Sequence, residues 1–165
     1  MWPPGAVTEG GGGSRPQLMA GGGDGRRSGE MRELRLPDRV PAAATGVPRC
    51  GHCHQPLPWI ADANDDTFAE IAEDASIPVV VDMWAPWCGP CRMVSPALEQ
   101  VATELAGRIK LVKVNVDDSP KLQQRFNVMA IPTLMVLRHG QVAAQRAGAV
   151  PAASLRAWVE EVLGN

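Results

Sequence analysis

The most constraining feature of the chain is a junction. An apolar run from Pro78 to Trp84 stops at Ala85-Pro86-Trp87-Cys88-Gly89-Pro90-Cys91, and an amphipathic stretch begins there. The run is strand-sized and reads as a strand buried on both faces, which requires neighbouring strands and a covering layer on each side. Val94, Ala97, Leu98, Val101, Ala102 and Leu105 then recur at the 3-1-3-1-3 spacing of one helical face. Pro96 is expected to kink that helix, because a backbone donor is missing there. Gly107 is expected to stop it.

The flanking segments extend the alternation. Trp59-Ile60-Ala61 reads as a short strand. Asn64 or Asp65 is placed to cap a helix with apolar positions Phe68, Ile71, Ala72 and Ala75. From Ile109 to Val116, Val112, Val114 and Val116 share a face, while Lys113 and Asn115 point the other way. Ser119 is expected to cap a short helix through Phe126. Thr133 to Leu137 and Gln141 to Arg146 read as a hairpin around His139-Gly140. Leu155, Trp158, Val159, Val162 and Leu163 mark a terminal helix with Pro151 near its start. Strand–helix–strand–helix–strand–helix–strand–strand–helix predicts an α/β fold: a central mixed β-sheet flanked by helices on both faces.

Composition bears on what lies outside this core. Ten of the 17 glycines fall in residues 1–30. Such a segment cannot bury enough apolar surface to offset its ordering entropy, so 1–30 is read as a disordered extension. It lacks the apolar core of a secretory signal, and Glu9, Asp24 and Glu30 do not suit a transit peptide. Met19 and Met31 are alternative start sites. Residues 31–58 form a short Pro-punctuated module, and 59–165 the main domain. A net charge of −2 excludes a general polycation for nucleic acid. No apolar run reaches the ~18 residues of a membrane span. The four cysteines form two Cys-x-x-Cys pairs, which points to metal or redox chemistry rather than a disulfide scaffold.

Cys88 and Cys91 open a helix directly after a buried strand. Unpaired backbone N–H groups and the positive helix end there favour a thiolate at the first cysteine. The second is one turn on, within reach of a disulfide, and Gly89 and Pro90 make the tight turn between them. Cys88 would attack a target disulfide, and Cys91 would then resolve the mixed disulfide. A zinc knuckle or an inert bridge are the other readings of such a pair. A knuckle needs two further ligands nearby, which a helix start does not readily offer.

The stretch Trp84-Ala85-Pro86-Trp87-Cys88-Gly89-Pro90-Cys91-Arg92 resembles the active-site stretch of the thioredoxin family. Asp82 lies six residues before Cys88, Lys113 lies 25 after it, and Ile131-Pro132-Thr133 about 44 after it. These spacings, with Gly140 and Gly148, are similar to the family pattern over roughly residues 60–165. The resemblance implies a thioredoxin fold and protein-disulfide reductase activity. It implies that Asp82 is a buried carboxyl of raised pKa that takes the Cys91 proton, with Lys113 as its partner. A local cap or salt bridge for Asp82 and a plain exposed strand lysine for Lys113 are the structural alternatives. It further implies a cis Pro132 facing the disulfide, backbone pairing of substrate at Ile131, and an apolar docking rim of Trp87, Pro90, Ile131 and Gly148, with Gly89 in the same turn. Trp84 and Trp158 read as core, His139 as an exposed turn residue, and the methionines as scattered filler rather than a cofactor box.

The other pair, in Arg49-Cys50-Gly51-His52-Cys53-His54, resembles half of the zinc ribbon that one thioredoxin subclass carries. Counting back, Met31 and Leu34 stand where the first Cys-x-x-Cys belongs. Cys50 and Cys53 are therefore an incomplete metal-ligand set, to be left empty, completed by histidine or a second chain, or used as an accessory redox pair. The resemblance implies no cofactor for the redox chemistry. It implies thioredoxin reductase and disulfide-bearing proteins as partners, no nucleic acid or membrane, and a cytoplasmic location. A thioredoxin-fold module or chaperone that docks without turnover is the alternative function.

Overall fold

The structure is a computed structural model and describes residues 40–44 and 46–164. The readings made for residues 1–30, and for Met31 and Leu34, lie outside those residues.

The buried run forms β2 (Val79–Trp84), the middle strand of a five-stranded sheet. The others are β1 (Trp59–Ala63), β3 (Lys110–Asn115), β4 (Thr133–Arg138) and β5 (Gln141–Ala147). The spatial order is β1-β3-β2-β4-β5. β3 pairs parallel with β1 and β2; β4 pairs antiparallel with β2 and β5. The sheet is mixed because long crossovers join the parallel strands, while β4 and β5 are joined by the His139-Gly140 turn. Helices α1 (Cys91–Glu104), α2 (Pro120–Arg125) and α3 (Ala152–Gly164) complete the predicted order.

Alternation along β2 divides the core. Val79, Val81 and Met83 pack with Phe68, Ile71, Leu122 and both active-site cysteines. Val80 faces the other layer with Val94, Leu98, Leu155 and Val159 of α1 and α3. Asp82 therefore belongs, by parity, to the α1 side.

Local structure differs from expectation in two places. Residues 64–75 form not a long helix but a capped turn leading into a π-helical turn, Ala69–Glu73. Asn64 Oδ1 accepts from the amides of Asp66 and Thr67 at 3.0 and 3.1 Å. Asp65 caps α2 instead, accepting from Lys121 N at 3.1 Å and Leu122 N at 2.9 Å. Ser119 is therefore not the side-chain cap of α2, and its buried hydroxyl has no hydrogen-bond partner among the described residues. A carboxylate is the stronger acceptor and also complements the helix dipole, so the tertiary cap displaces the local one. α1 runs unbroken through Pro96. The methionines are scattered between core and surface: Met83 and Met135 are buried, and Met93 and Met129 are exposed.

The segment before β1 is fastened to the domain. Lys110 is 1% exposed; its ammonium donates to the carbonyls of Ala42 and Ile71 and lies 4.2 Å from the centre of the Trp59 ring. Burial pushes its pKa down to about 8. Trp59 Nε1 in turn donates to the Pro41 carbonyl at 2.9 Å. Cys50 and Cys53 lie on a small hairpin closed by an Arg49–Pro56 bridge and by bonds from Cys50 N to Gln55 O and His54 N to Cys50 O, both 2.9 Å.

Candidate active site

Cys88 and Cys91 are joined by a disulfide with Cα atoms 5.4 Å apart. Cys91 is the first residue of α1, whose start has no side-chain cap and no acidic residue in its first turn. The Cys91 amide donates instead to Cys88 Sγ at 3.2 Å. The sulfur thus stands where a serine or aspartate oxygen normally caps a helix, and the helix end favours negative charge on it.

Asp82 is fully buried. Its Oδ2 accepts from Ser95 Oγ at 2.9 Å, and its Oδ1 has no hydrogen-bond partner among the described residues. Desolvation lifts the carboxyl to about 6; the Ser95 hydrogen bond and the Lys113 charge oppose the rise, and Glu99 adds to it. Lys113 is aligned with Asp82 across β3 and β2, but its ammonium is bonded to Glu99 Oε1 at 2.9 Å. The expected Asp82–Lys113 pair is therefore electrostatic rather than a hydrogen bond. Cys91, Ser95, Glu99, Lys113 and Trp84 line one cleft of about 300 Å³.

The Ile131–Pro132 bond is cis, and Pro132 is buried. Pro132 O accepts from Gly148 N at 2.8 Å. Gly148 has φ +97° with open space above it, a backbone conformation that side-chain-bearing residues avoid. Gly89 and Pro90 are exposed in the turn between the cysteines. No heavy atom lies within 4 Å of a Cβ built on Gly89, so this residue leaves room for a partner rather than relieving a crowded turn. Trp87 is 68% exposed and donates Nε1 to the Asp117 carboxylate at 3.0 Å. Trp87, Asp117, Met129 and Ile131 line a groove of about 390 Å³ on this face.

The fold thus sets Cys91 in one cleft with Lys113 and with Ser95, the residue that bonds Asp82, and sets Trp87 and Ile131 along one groove. Four participants were not singled out by sequence: Ser95, Glu99, Asp117 and Met129. Ser95 and Glu99 carry a usable signal, since they follow Cys91 at one-turn steps along α1. Cys50 and Cys53 take no part. Their hairpin rests on Gly107, beyond the far end of α1, about 20 Å along the helix from Cys91. Among the described residues, no three His, Cys, Asp or Glu side chains gather as a metal site.

A family model described as Thioredoxin matches residues 59–161. The chain belongs to the thioredoxin family. It is 43% identical to a Thioredoxin of Haemophilus influenzae over 98 residues, covering 59% of this chain and 92% of that one. It is 44% identical to Thioredoxin 1 of a Nostoc species over 103 residues, 62% of this chain and 96% of that one. It is also 43% identical to the chloroplastic Thioredoxin M-type of Chlamydomonas reinhardtii over 100 residues, 61% of this chain and 71% of that one. The thioredoxin domain starts at β1 and holds every element of the sheet. With the Cys88–Cys91 pair at its helix start, its chemistry is thiol–disulfide exchange: it is an oxidoreductase that reduces protein disulfides.

Proposed function

We propose that Cys88 is the nucleophile and Cys91 the resolving thiol in a protein-disulfide reductase cycle. The observation that carries this assignment is the Cys91 N–H aimed at Cys88 Sγ at an otherwise uncapped helix start. The Cys88 thiolate attacks one sulfur of a substrate disulfide, and the other leaves as a thiolate. Asp82 takes the proton of Cys91. The Cys91 thiolate then attacks Cys88 Sγ; the Cys88–Cys91 bond forms, the mixed disulfide breaks, and the second substrate thiolate leaves with the bonding pair. The protein is oxidised by two electrons and the substrate reduced by two.

Substrate docks in this reading as an extended segment along Ile131, beside cis Pro132 and Gly148, with Trp87 and Pro90 on the rim. Lys113 acts on Asp82 through its charge. Thioredoxin reductase restores the dithiol, and the cytoplasm, where thiols stay reduced, is the compartment that fits. The Cys50–Cys53 hairpin is read as a degenerate zinc-ribbon-like module that is closed by backbone bonds and needs no metal.

Insulin disulfide reduction with thioredoxin reductase and nicotinamide cofactor tests the cycle. Turnover that survives loss of Cys88 would overturn it. Subcellular fractionation tests the location.

A further inference from the structure

Cys91, Ser95 and Glu99 are spaced i, i+4 and i+8, so they form one stripe along α1. The stripe lines the cleft beside Trp84 and Lys113. Each member has a different neighbour: Cys91 the Cys88 sulfur, Ser95 the Asp82 carboxyl, Glu99 the Lys113 ammonium. The two oxygens of Asp82 are thereby made unequal. One is held by the hydroxyl, and the other is buried without a hydrogen-bond partner among the described residues.

We infer that Ser95 is a positioning residue for the proton step: its hydroxyl holds Oδ2 of Asp82 and leaves Oδ1 as the oxygen that receives the Cys91 proton. This rests on the reading of Asp82 as proton acceptor. A carboxylate with one oxygen engaged by a donor cannot rotate freely, and the donor favours its charged form. The other charged groups acting on it are Lys113 from β3 and Glu99 from α1; β4 sets only Leu134 opposite. Lys113 is engaged by Glu99, which leaves Ser95 as the hydrogen-bond donor to this carboxyl among the described residues. Without the hydroxyl, Asp82 would hold its proton to higher pH and be a free base over a narrower range.

The test mixes the reduced full chain, carrying Cys50→Ser and Cys53→Ser so that only the redox pair reports, with dithionitrobenzoate. The first thionitrobenzoate leaves when Cys88 attacks; the second leaves when Cys91 resolves the mixed disulfide. Ser95→Ala should slow the second release about fivefold at pH 6 and leave it unchanged at pH 8.5, with the Asp82 carboxyl titrating higher by NMR. Ser95→Thr should restore both. Alanine favours helix, so the variant keeps α1. A pH profile of Ser95→Ala superimposable on the parent's, or a displaced titration with an unmoved profile, overturns the positioning role. Asp82→Asn run in parallel separates the two ideas. If Asp82→Asn resolves as fast as the parent at every pH, the proton-acceptor reading falls and the Ser95 role with it. If only Asp82→Asn is slow, the Ser95 role alone falls.

Discussion

Asp82 and Lys113 occupy matched positions on adjacent strands, yet each bonds to α1 rather than to the other. Ser95 holds the carboxyl and Glu99 the ammonium. A direct pair would clamp Asp82 as an anion. The observed arrangement keeps the positive charge close enough to act and leaves burial as the largest influence on the carboxyl. A group held near pH 6 is suited to giving and taking protons near neutrality.

Asp82 also costs stability, and its pH dependence is readable. The folded-state pKa is about 6 against an ordinary 3.8. Above pH 6 the fold holds an anion that the unfolded chain would solvate. As pH falls from 6 to 4 the folded state binds the proton first, so this penalty shrinks, and it is gone below 4. Asp82→Asn should therefore stabilise the protein at pH 8, by about 3 kcal/mol at most, and change little at pH 4. Urea unfolding at the two pH values measures it. Slower mixed-disulfide resolution at neutral pH should accompany the gain.

Cys88→Ser should abolish reduction of protein disulfides. Cys91→Ser should keep a reactive thiolate and accumulate mixed disulfides, visible as reducible adducts on gels. The reverse pattern would exchange the two roles.

Trp87 is exposed, and its indole N–H donates to Asp117. Trp87→Ala should raise KM for a protein disulfide several-fold and leave Tm almost unmoved, since little core contact is lost. Steady-state kinetics and a thermal scan read the two effects together.

Gly107 has φ +82°, and a Cβ there would stand 2.9 Å from Pro56 Cβ. Gly107→Ala should cost about 1–3 kcal/mol, from the backbone conformation and the clash. It should also expose the Cys50–Cys53 hairpin to proteolysis while leaving reductase activity at 25 °C intact. Limited proteolysis and insulin reduction report on each part.

Chelator treatment should change neither Tm nor activity, because structural zinc wants four ligands and the hairpin contributes two thiols. Any zinc found by elemental analysis should come with dimers, at one metal per two chains. One tightly held zinc per monomer would show that His52 or His54 completes the site.

The element order, the mixed sheet and the redox pair were legible because local patterns govern them. Hydrophobic period separates strand from helix, and the position of Cys88 at a helix start follows from the strand before it and the apolar stripe after it. The residues around Asp82 were not legible, because hydrogen-bond choice among competing donors is decided in three dimensions. Ser95 reaches Asp82 across 13 positions and Glu99 reaches Lys113 across 14. Asp65 reaches the α2 amides across 56 and 57 and displaces the local cap that Ser119 suggested. Sequence alone determined that a carboxyl would interrupt a buried strand six residues before Cys88, and that Lys113 would point off the valine face of another strand. Only the packing of α1 against the sheet decided which side chain each would bond, because both charges face a helix whose polar stripe lies closer to them than they do to each other.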